Sequence, residues 1–257
     1  ATATARSLVL RDGIPQNDPF GGWIPWARYN PELLSSVRIV PSTQAAVWGN
    51  QSPAGIVHLT GRELVENRTS LRSTGGSHGT RGLVLVSDQV SDDTSLAAQA
   101  SVFTLRSDGF YGLQKGQRGI VDRPLGLTTK GAELRMVWRP GDGLAIEPSV
   151  SFYEEERGNG TILSRNAGRA LDFSLRVTKE YPSQTWQALA YYQRRDFEAF
   201  FSAVDETRAT ETPALDQFDV PGEGIGGGVT ATVRVAEAVD VILGADLRYL
   251  NGETNEQ

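Results

Sequence analysis

The sequence predicts a mostly β chain: an antiparallel transmembrane β-barrel, partial at about nine strands, preceded by part of a small α+β domain. Three observations predict it. From residue 67 onward apolar residues recur at every second position, the period of a strand with one apolar face. Each of the clearest candidate strands has the roughly 9–11 residues that a tilted strand needs to cross a bilayer. The connections alternate between short and long, as turns on one side of a membrane and loops on the other do.

The small unit in front spans residues 8–60. Leu8-Val9-Leu10-Arg11 reads as a strand that stops at Asp12-Gly13, where glycine takes positive φ without steric cost. Residues 14–23 hold two prolines and two glycines, so an ordered but irregular loop is predicted there. Asn30 is placed to cap a short helix with Pro31 at its first position. Val37-Arg38-Ile39-Val40 is a β-branched strand cut off by Pro41. Residues 44–48 read as one helical turn ended by Gly49, and residues 55–60 as a third strand.

These residues resemble a known family. Asp12 to Gly22 (DGIPQNDPFGG), VRIV at 37–40, AAVWG at 45–49 and AGIVHLT at 54–60 resemble, in order and spacing, the C-terminal half of the plug domain of TonB-dependent outer-membrane receptors. The matching positions are Asp12, Gly13, Pro15, Asn17, Asp18, Gly49 and Gly55. Arg38, Trp48 and His58 stand where that family usually has Glu, Tyr and Asn, and Pro41-Ser42-Thr43 replaces its R-G-P-like turn. The resemblance implies a barrel of about 22 strands, a first plug half and a TonB box, all lying outside this sequence. The expected domains are therefore residues 1–66, the later part of a plug, and residues 67–257, the first part of an incomplete barrel. Ala1 to Ala5 reads as a cut end inside a domain.

The barrel strands are predicted at 68–76, 80–89, 95–106, 129–139, 144–155, 169–178, 185–196, 223–235 and 240–249. In the fourth, Ala132, Leu134, Met136 and Trp138 oppose Glu133, Arg135 and Arg139. In the sixth, Leu171, Phe173, Leu175 and Val177 oppose Asp172, Ser174 and Arg176. Short links fall at 90–94, 140–143, 180–184 and 236–239, and long loops at 107–128, 156–168 and 197–222, with a tight 75–80 link as the exception. Trp138, Tyr181, Trp186 and Tyr249 suit one interfacial aromatic girdle, and Phe152, Tyr153, Tyr191 and Tyr192 the opposite one. Glu133, Arg135, Glu147, Arg176, Arg234 and Arg248 are the charges predicted to face the lumen, with the arginines pairing to plug carboxylates or lining a hydrated interior.

Composition narrows the function. The 257 residues contain no cysteine, which excludes a disulfide framework and thiolate chemistry. A net charge of −6 without a basic stripe argues against nucleic acid as a partner. No apolar run is long enough for a transmembrane helix, and mean hydropathy cannot reveal a barrel that hides its apolar residues at alternate positions. His58 and His78 lie in separate segments, and Glu154-Glu155-Glu156 reads as a solvated strand end. The Gly222 to Gly227 stretch matches G-x-G-x-x-G, but a strand follows it, so it offers no helix N-terminus to a pyrophosphate. Asp205, Glu206, Glu211, Asp216 and Asp219 lack the spacing of a calcium loop. No nucleophile with a base and no carboxylate pair at fixed spacing is present. We therefore expect no enzyme, no cofactor and no metal.

The ligand-contact candidates are Phe20, Trp23, Trp26 and Tyr29, whose alternative role is to pack the plug against the barrel wall. The resemblance implies active uptake of a scarce ligand, an iron-siderophore complex or a cobalamin-like molecule, across the bacterial outer membrane. It implies as partners the inner-membrane TonB complex, the ligand and outer-membrane lipid. Two alternatives stand beside it: a passive or structural barrel such as a porin or adhesin, and a soluble glycan-binding β protein. A porin has no reason to carry a folded unit ahead of its first strand, and a soluble single-layer sheet would expose the apolar faces of 171–177 and 241–249.

Overall fold

A computed structural model describes residues 7–41 and 54–257 of the chain. The AAVWG turn with Gly49, the helical turn at 44–48 and the cut end at 1–5 lie outside the described residues.

Two sheets form. The smaller has the order β2-β1-β4-β3, from β1 (Leu8–Arg11), β2 (Ile14–Pro15), β3 (Leu34–Val40) and β4 (Ile56–Gly61). β1 runs parallel to β4 and antiparallel to β2. The turn after β1 has Asp12 at φ 50° and Gly13 at φ 85°, the left-handed backbone that an Asp-Gly pair tolerates. A 3-10 turn at Pro31–Leu33 is capped by the Asn30 side chain, which accepts from the Glu32 N–H. Among the described residues, the core of the small sheet is Leu8, Leu10 and Ile56 on one face and Val9, Ile24 and Leu59 on the other.

The loop after β2 is irregular but pinned. Asn17 Oδ1 accepts from Val9 N–H at 2.9 Å, while its amide donates to the carbonyls of Ser7 (3.0 Å) and Gly22 (3.1 Å). Asp18 Oδ1 accepts from the N–H groups of Phe20 (3.0 Å) and Gly21 (2.7 Å). These bonds are what the Asn17-Asp18 pair contributes.

The larger sheet is an antiparallel meander of nine long strands in sequence order: β5 (Arg68–Gly75), β6 (Arg81–Val90), β7 (Leu96–Ser107), β8 (Leu127–Gly141), β9 (Leu144–Gly158), β10 (Arg165–Tyr181), β11 (Gln184–Val204), β12 (Glu211–Ala236) and β13 (Val239–Gly252). A two-residue β14 (Asn255–Glu256) pairs back onto β12. Strand count and phase agree with the sequence reading. The long loops are shorter than predicted, because ladders continue past the apolar stretch. Residues 197–222, expected as one loop, are mostly the extended ends of β11 and β12, which pair as far as Val204 and Glu211 and leave a tip at 205–210. The period-two apolar signal stops where the strands leave the membrane, although the hydrogen bonding does not.

Alternation sets the outer face. On β8, Leu134, Met136 and Trp138 are 44%, 37% and 50% exposed, whereas Val137 between them is buried. On β10 the outward set Leu171, Phe173, Leu175 and Val177 is bounded by Arg169 and Lys179. Those limits are ten residues apart. They therefore span about 33 Å along the strand, or roughly 23 Å across a bilayer at a tilt near 45°, close to the apolar band of a membrane barrel. The second predicted girdle, Phe152, Tyr153, Tyr191 and Tyr192, needs correction. Tyr153 and Tyr191 are buried and face the lumen, while their neighbours Phe152 and Tyr192 face outward. Consecutive residues of a strand point to opposite faces, so both members of either pair cannot meet lipid.

An arginine at the middle of this band should be costly. In the complete protein, Leu175→Arg should weaken folding into vesicles by about 2–4 kcal/mol, whereas Arg169→Leu at the boundary should change it by less than about 1 kcal/mol. Denaturant titration of vesicle insertion measures both, and equal small effects would remove the assignment of this face to lipid.

Candidate functional site at the plug and barrel interface

The small sheet sits against the inward face of β8 to β12, and charge holds it there. Arg11, at the end of β1, donates from both terminal nitrogens to Glu133 of β8 at 2.6 Å each. Burial opposes the Arg11 charge, but the facing Glu133 carboxylate outweighs it and holds the guanidinium pKa above its ordinary value.

Asp172 of β10 lies between two buried arginines. Arg28 of the small unit pairs with it and donates to Ser151 Oγ at 2.8 Å, and Arg195 of β11 pairs with it at 2.6 Å. Burial, and then the Arg195 cation, lower the Arg28 pKa to about 10, still far enough above neutrality for it to remain a cation.

A third group joins the end of β4 to the wall. Arg62 pairs with Asp88 of β6, which also accepts from Gln99 of β7 at 2.8 Å. The Arg62 carbonyl accepts from Arg135 at 2.8 Å, and Arg135 pairs with Glu147 at 2.9 Å. Arg176 lies 3.8 Å from the same Glu147 and donates to the Asp12 carbonyl. Asp12 Oδ1 in turn accepts from Gly61 N–H at 2.7 Å, so the turn after β1 is tied to both β4 and the barrel. Glu32 completes the set with Arg72 at 2.6 Å and Arg68 at 3.8 Å of β5, in a more exposed position.

Between the two bodies is a cavity of about 60 Å³, walled by Arg11, Arg28, Arg135 and Arg176 against Asp12, Glu133, Glu147 and Asp172. It has room for a few waters. Among the described residues, Arg28 Nη1 and Arg176 Nε have no protein partner at its walls, and water is the group that fits them.

The four aromatic candidates separate. Trp23 packs on Phe197 of β11 with ring centroids 4.7 Å apart. Trp26 and Tyr29 meet edge to face at 6.2 Å, and the Tyr29 hydroxyl donates to Gln16 Oε1 at 3.1 Å. Burial raises the Tyr29 pKa above its ordinary value. Phe20 is 47% exposed and lies over Gly222 and Gly252. A Cβ on Gly252 would come within 2.5 Å of Phe20 Cβ, and one on Gly224 within 3.3 Å of Pro19. Gly252 above all, with Gly224 of the stretch that mimics a nucleotide motif, thus lets the loop at 18–20 lie close on β12 and β13.

The predicted lumen charges divide likewise. Glu133, Arg135, Glu147 and Arg176 meet at the cavity. Arg248 faces inward on β13 near Asp246 at 3.9 Å. Arg234 pairs with exposed Asp240 at a short turn, and Arg139 donates to the Thr94 carbonyl at another. His58 is paired in register with Arg38 across β3 and β4, and partial burial lowers its pKa. Among the described residues no group of three or more His, Cys, Asp or Glu side chains is placed to hold a metal. Sequence reasoning missed Arg11, Arg28, Arg62, Asp88 and Arg195. The inward phase of Asp88 and Gln99, polar residues facing a lumen, was the available signal.

A barrel sheet with a lipid-facing apolar band, enclosing a small α+β unit through ion pairs, defines a plugged outer-membrane barrel. Residues 2–56 match the family model described as TonB-dependent Receptor Plug Domain, and together with the barrel fold this match supports reading the chain as part of a TonB-dependent receptor. Such receptors are outer-membrane proteins and not enzymes. Solved structures share the fold. The siderophore receptor PirA from Acinetobacter baumannii superposes with a TM-score of 0.75 at 13% identity, covering 96% of this chain and 40% of its own. FpvA from P. aeruginosa, bound to heterologous pyoverdines, gives 0.78 at 7% identity, with 97% and 36% covered. The closed form of the ferric-catecholate import receptor Fiu from E. coli K12 gives 0.73 at 13% identity, with 98% and 40% covered. The chain thus spans about 40% of the length of these receptors. No curated protein sequence matches it.

Removing the shared carboxylate should loosen the plug. Asp172→Asn leaves two guanidinium groups buried without their counter-charge, which should cost about 3–5 kcal/mol, whereas Arg72→Ala at the exposed pair should cost no more than about 1 kcal/mol. Hydrogen exchange at the amides of Val9 and Asp12 in the complete protein reports the difference. Equal protection in both variants would mean that the Arg28–Asp172–Arg195 group does not seat the plug.

Proposed function

We propose that this chain supplies the plug half and neighbouring barrel wall of a receptor that takes up a scarce ligand by TonB-driven transport, with an iron-siderophore complex as the ligand class and a cobalamin-like molecule as the other candidate. The observation that carries the reading is the plug, matched in sequence over residues 2–56 and seated in the barrel by ion pairs. The structural neighbours support the ligand class: PirA is a siderophore receptor, and PfeA from Pseudomonas aeruginosa is found in complex with enterobactin. We take residues 1–66 as plug and 67–257 as barrel.

The interface suits a part that must be dislodged and reseated. An apolar plug surface would have to be exposed to the wet lumen, at about 25 cal/mol per Å². Paired charges around a hydrated cavity regain water as they separate, so their Coulomb loss is offset by hydration. The pairs then fix where the plug sits more than how tightly it is held. Pull from the TonB complex, applied from the periplasm, needs only to shift the balance between two plug states.

Of the ligand-contact candidates, Phe20 has the strongest support, because it is exposed on the side of the plug away from the short turns. Trp23 and Tyr29 serve packing, and Trp26 sits beside Tyr29.

The test is uptake of radiolabelled iron-siderophore by cells that carry the complete protein as their one siderophore receptor. Uptake should stop when TonB is deleted or the proton-motive force is dissipated, and Phe20→Ala should weaken ligand binding about tenfold or more, near 1.4 kcal/mol. Permeation of small solutes that ignores TonB would favour the passive barrel instead.

A further inference from the structure

The loops at the long-loop end of the barrel are fastened to one another. Loop 108–126 begins beside the β5–β6 turn, where Asp108 N–H donates to the His78 carbonyl at 2.8 Å and Thr80 shares a hydroxyl hydrogen bond with Ser107 at 2.9 Å. It then crosses the β9–β10 link: Arg123 N–H donates to the Gly160 carbonyl at 2.9 Å, and Asp122 forms a β-bridge with Thr161. It ends against the β11–β12 tip. There Arg208 donates to both carboxylate oxygens of Asp122 at 2.6–3.0 Å, and Val121 N–H donates to the Arg208 carbonyl at 3.3 Å.

A second tie joins the last two loops. Glu211 accepts from Leu163 N–H at 3.1 Å and from Ser202 Oγ at 2.5 Å, and Ser164 meets the same Ser202 hydroxyl at 2.6 Å. Packing is equally close. Val121 and Asp122 are 3% and 5% exposed, unusual burial for a surface loop, and a Cβ on Gly119 would fall 2.1 Å from the Arg208 carbonyl oxygen.

We propose that loop 108–126 is a strap that binds the four outer loops of this part of the barrel into one body, with Asp122 and Arg208 as its clasp. Loops tied only by their own strands open singly and at little cost. A strapped rim moves over the lumen as a unit or not at all. The clasp does not depend on which ligand the lumen takes. It also persists at any ordinary pH: donation from Arg208, helped by the Gly119 N–H and set against partial desolvation, holds the Asp122 carboxyl down at about 2. A carboxyl with a depressed pKa stabilises the fold above its unfolded value, and that contribution is lost only as pH falls through about 2.

Hydrogen exchange on the complete protein in detergent tests the strap. Arg208→Ala should quicken exchange at the amides of Val121, Arg123 and Leu163 together, by at least about tenfold, while plug amides such as Val9 keep their protection. Asp122→Asn, which keeps the shape of the side chain, should do the same and serves if the first variant fails to fold. Faster exchange confined to residues 205–210, or no change at 121–123 and 163 in a folded variant, would overturn the proposal.

Discussion

Each strand of the large sheet separates hydrocarbon from a wet interior, and that constraint shapes everything else. Lipid offers no partner to a backbone N–H or carbonyl, so the strands satisfy one another in an unbroken meander. Once the ladder is fixed, only side-chain phase remains to be chosen. On β10 it sends Phe173 and Leu175 to lipid and Asp172, Ser174 and Arg176 to the lumen. A shift of one residue would place Asp172 and Arg176 in the bilayer, so the register that builds the wall also delivers the counter-charges of the plug.

The plug meets those counter-charges with buried cations of its own. Among the described residues its apolar core is two clusters of three, one on each face of a four-stranded sheet. The barrel completes it with polar contacts: Glu133 on Arg11, Asp172 on Arg28, Asp88 on Arg62, and Gln193 donating to the Pro15 carbonyl at 2.8 Å. In most of these pairs the plug supplies the cation and the wall the anion, the reverse of an arrangement in which lumen arginines seek plug carboxylates. Glu32 with Arg68 and Arg72 is the exception, at the more exposed edge.

The fold was legible because its two signals are local. Period two survives in any strand that meets lipid on one face; the Asp12-Gly13 turn, Asp18 and Asn30 act within three residues of themselves, and Asn17 reaches no farther than Ser7, ten residues away. The site was less legible because its pairs join residues far apart in sequence: Arg11 to Glu133, Arg28 to Asp172, Asp122 to Arg208. Nothing near Arg28 distinguishes it from an exposed loop arginine. The outer ends of β11 and β12 were misread for a related reason. Beyond the lipid, no apolar solvent sorts the faces, and a ladder of Phe200 to Asp216 and Ala203 to Thr212 carries no periodic mark.

β11 and β12 are where the rim and the plug meet the same element. Their tip carries Arg208 of the clasp. Farther down, β11 presents Phe197 to Trp23, Arg195 to Asp172 and Gln193 to Pro15, while β12 lays Gly222 and Gly224 under the loop at 18–20. Contact at both ends does not amount to coupling, which needs an element with two discrete arrangements. The loop at 18–26 meets this hairpin through glycine, one aromatic ring and the Asp18 carboxylate near the Arg195 cation, whereas Arg11, Arg28 and Arg62 meet the wall through direct ion pairs. Movement of that loop over glycine would break none of the ion pairs made by Arg11, Arg28 and Arg62, so the charged seat of the plug and its contact with this hairpin rest on different residues.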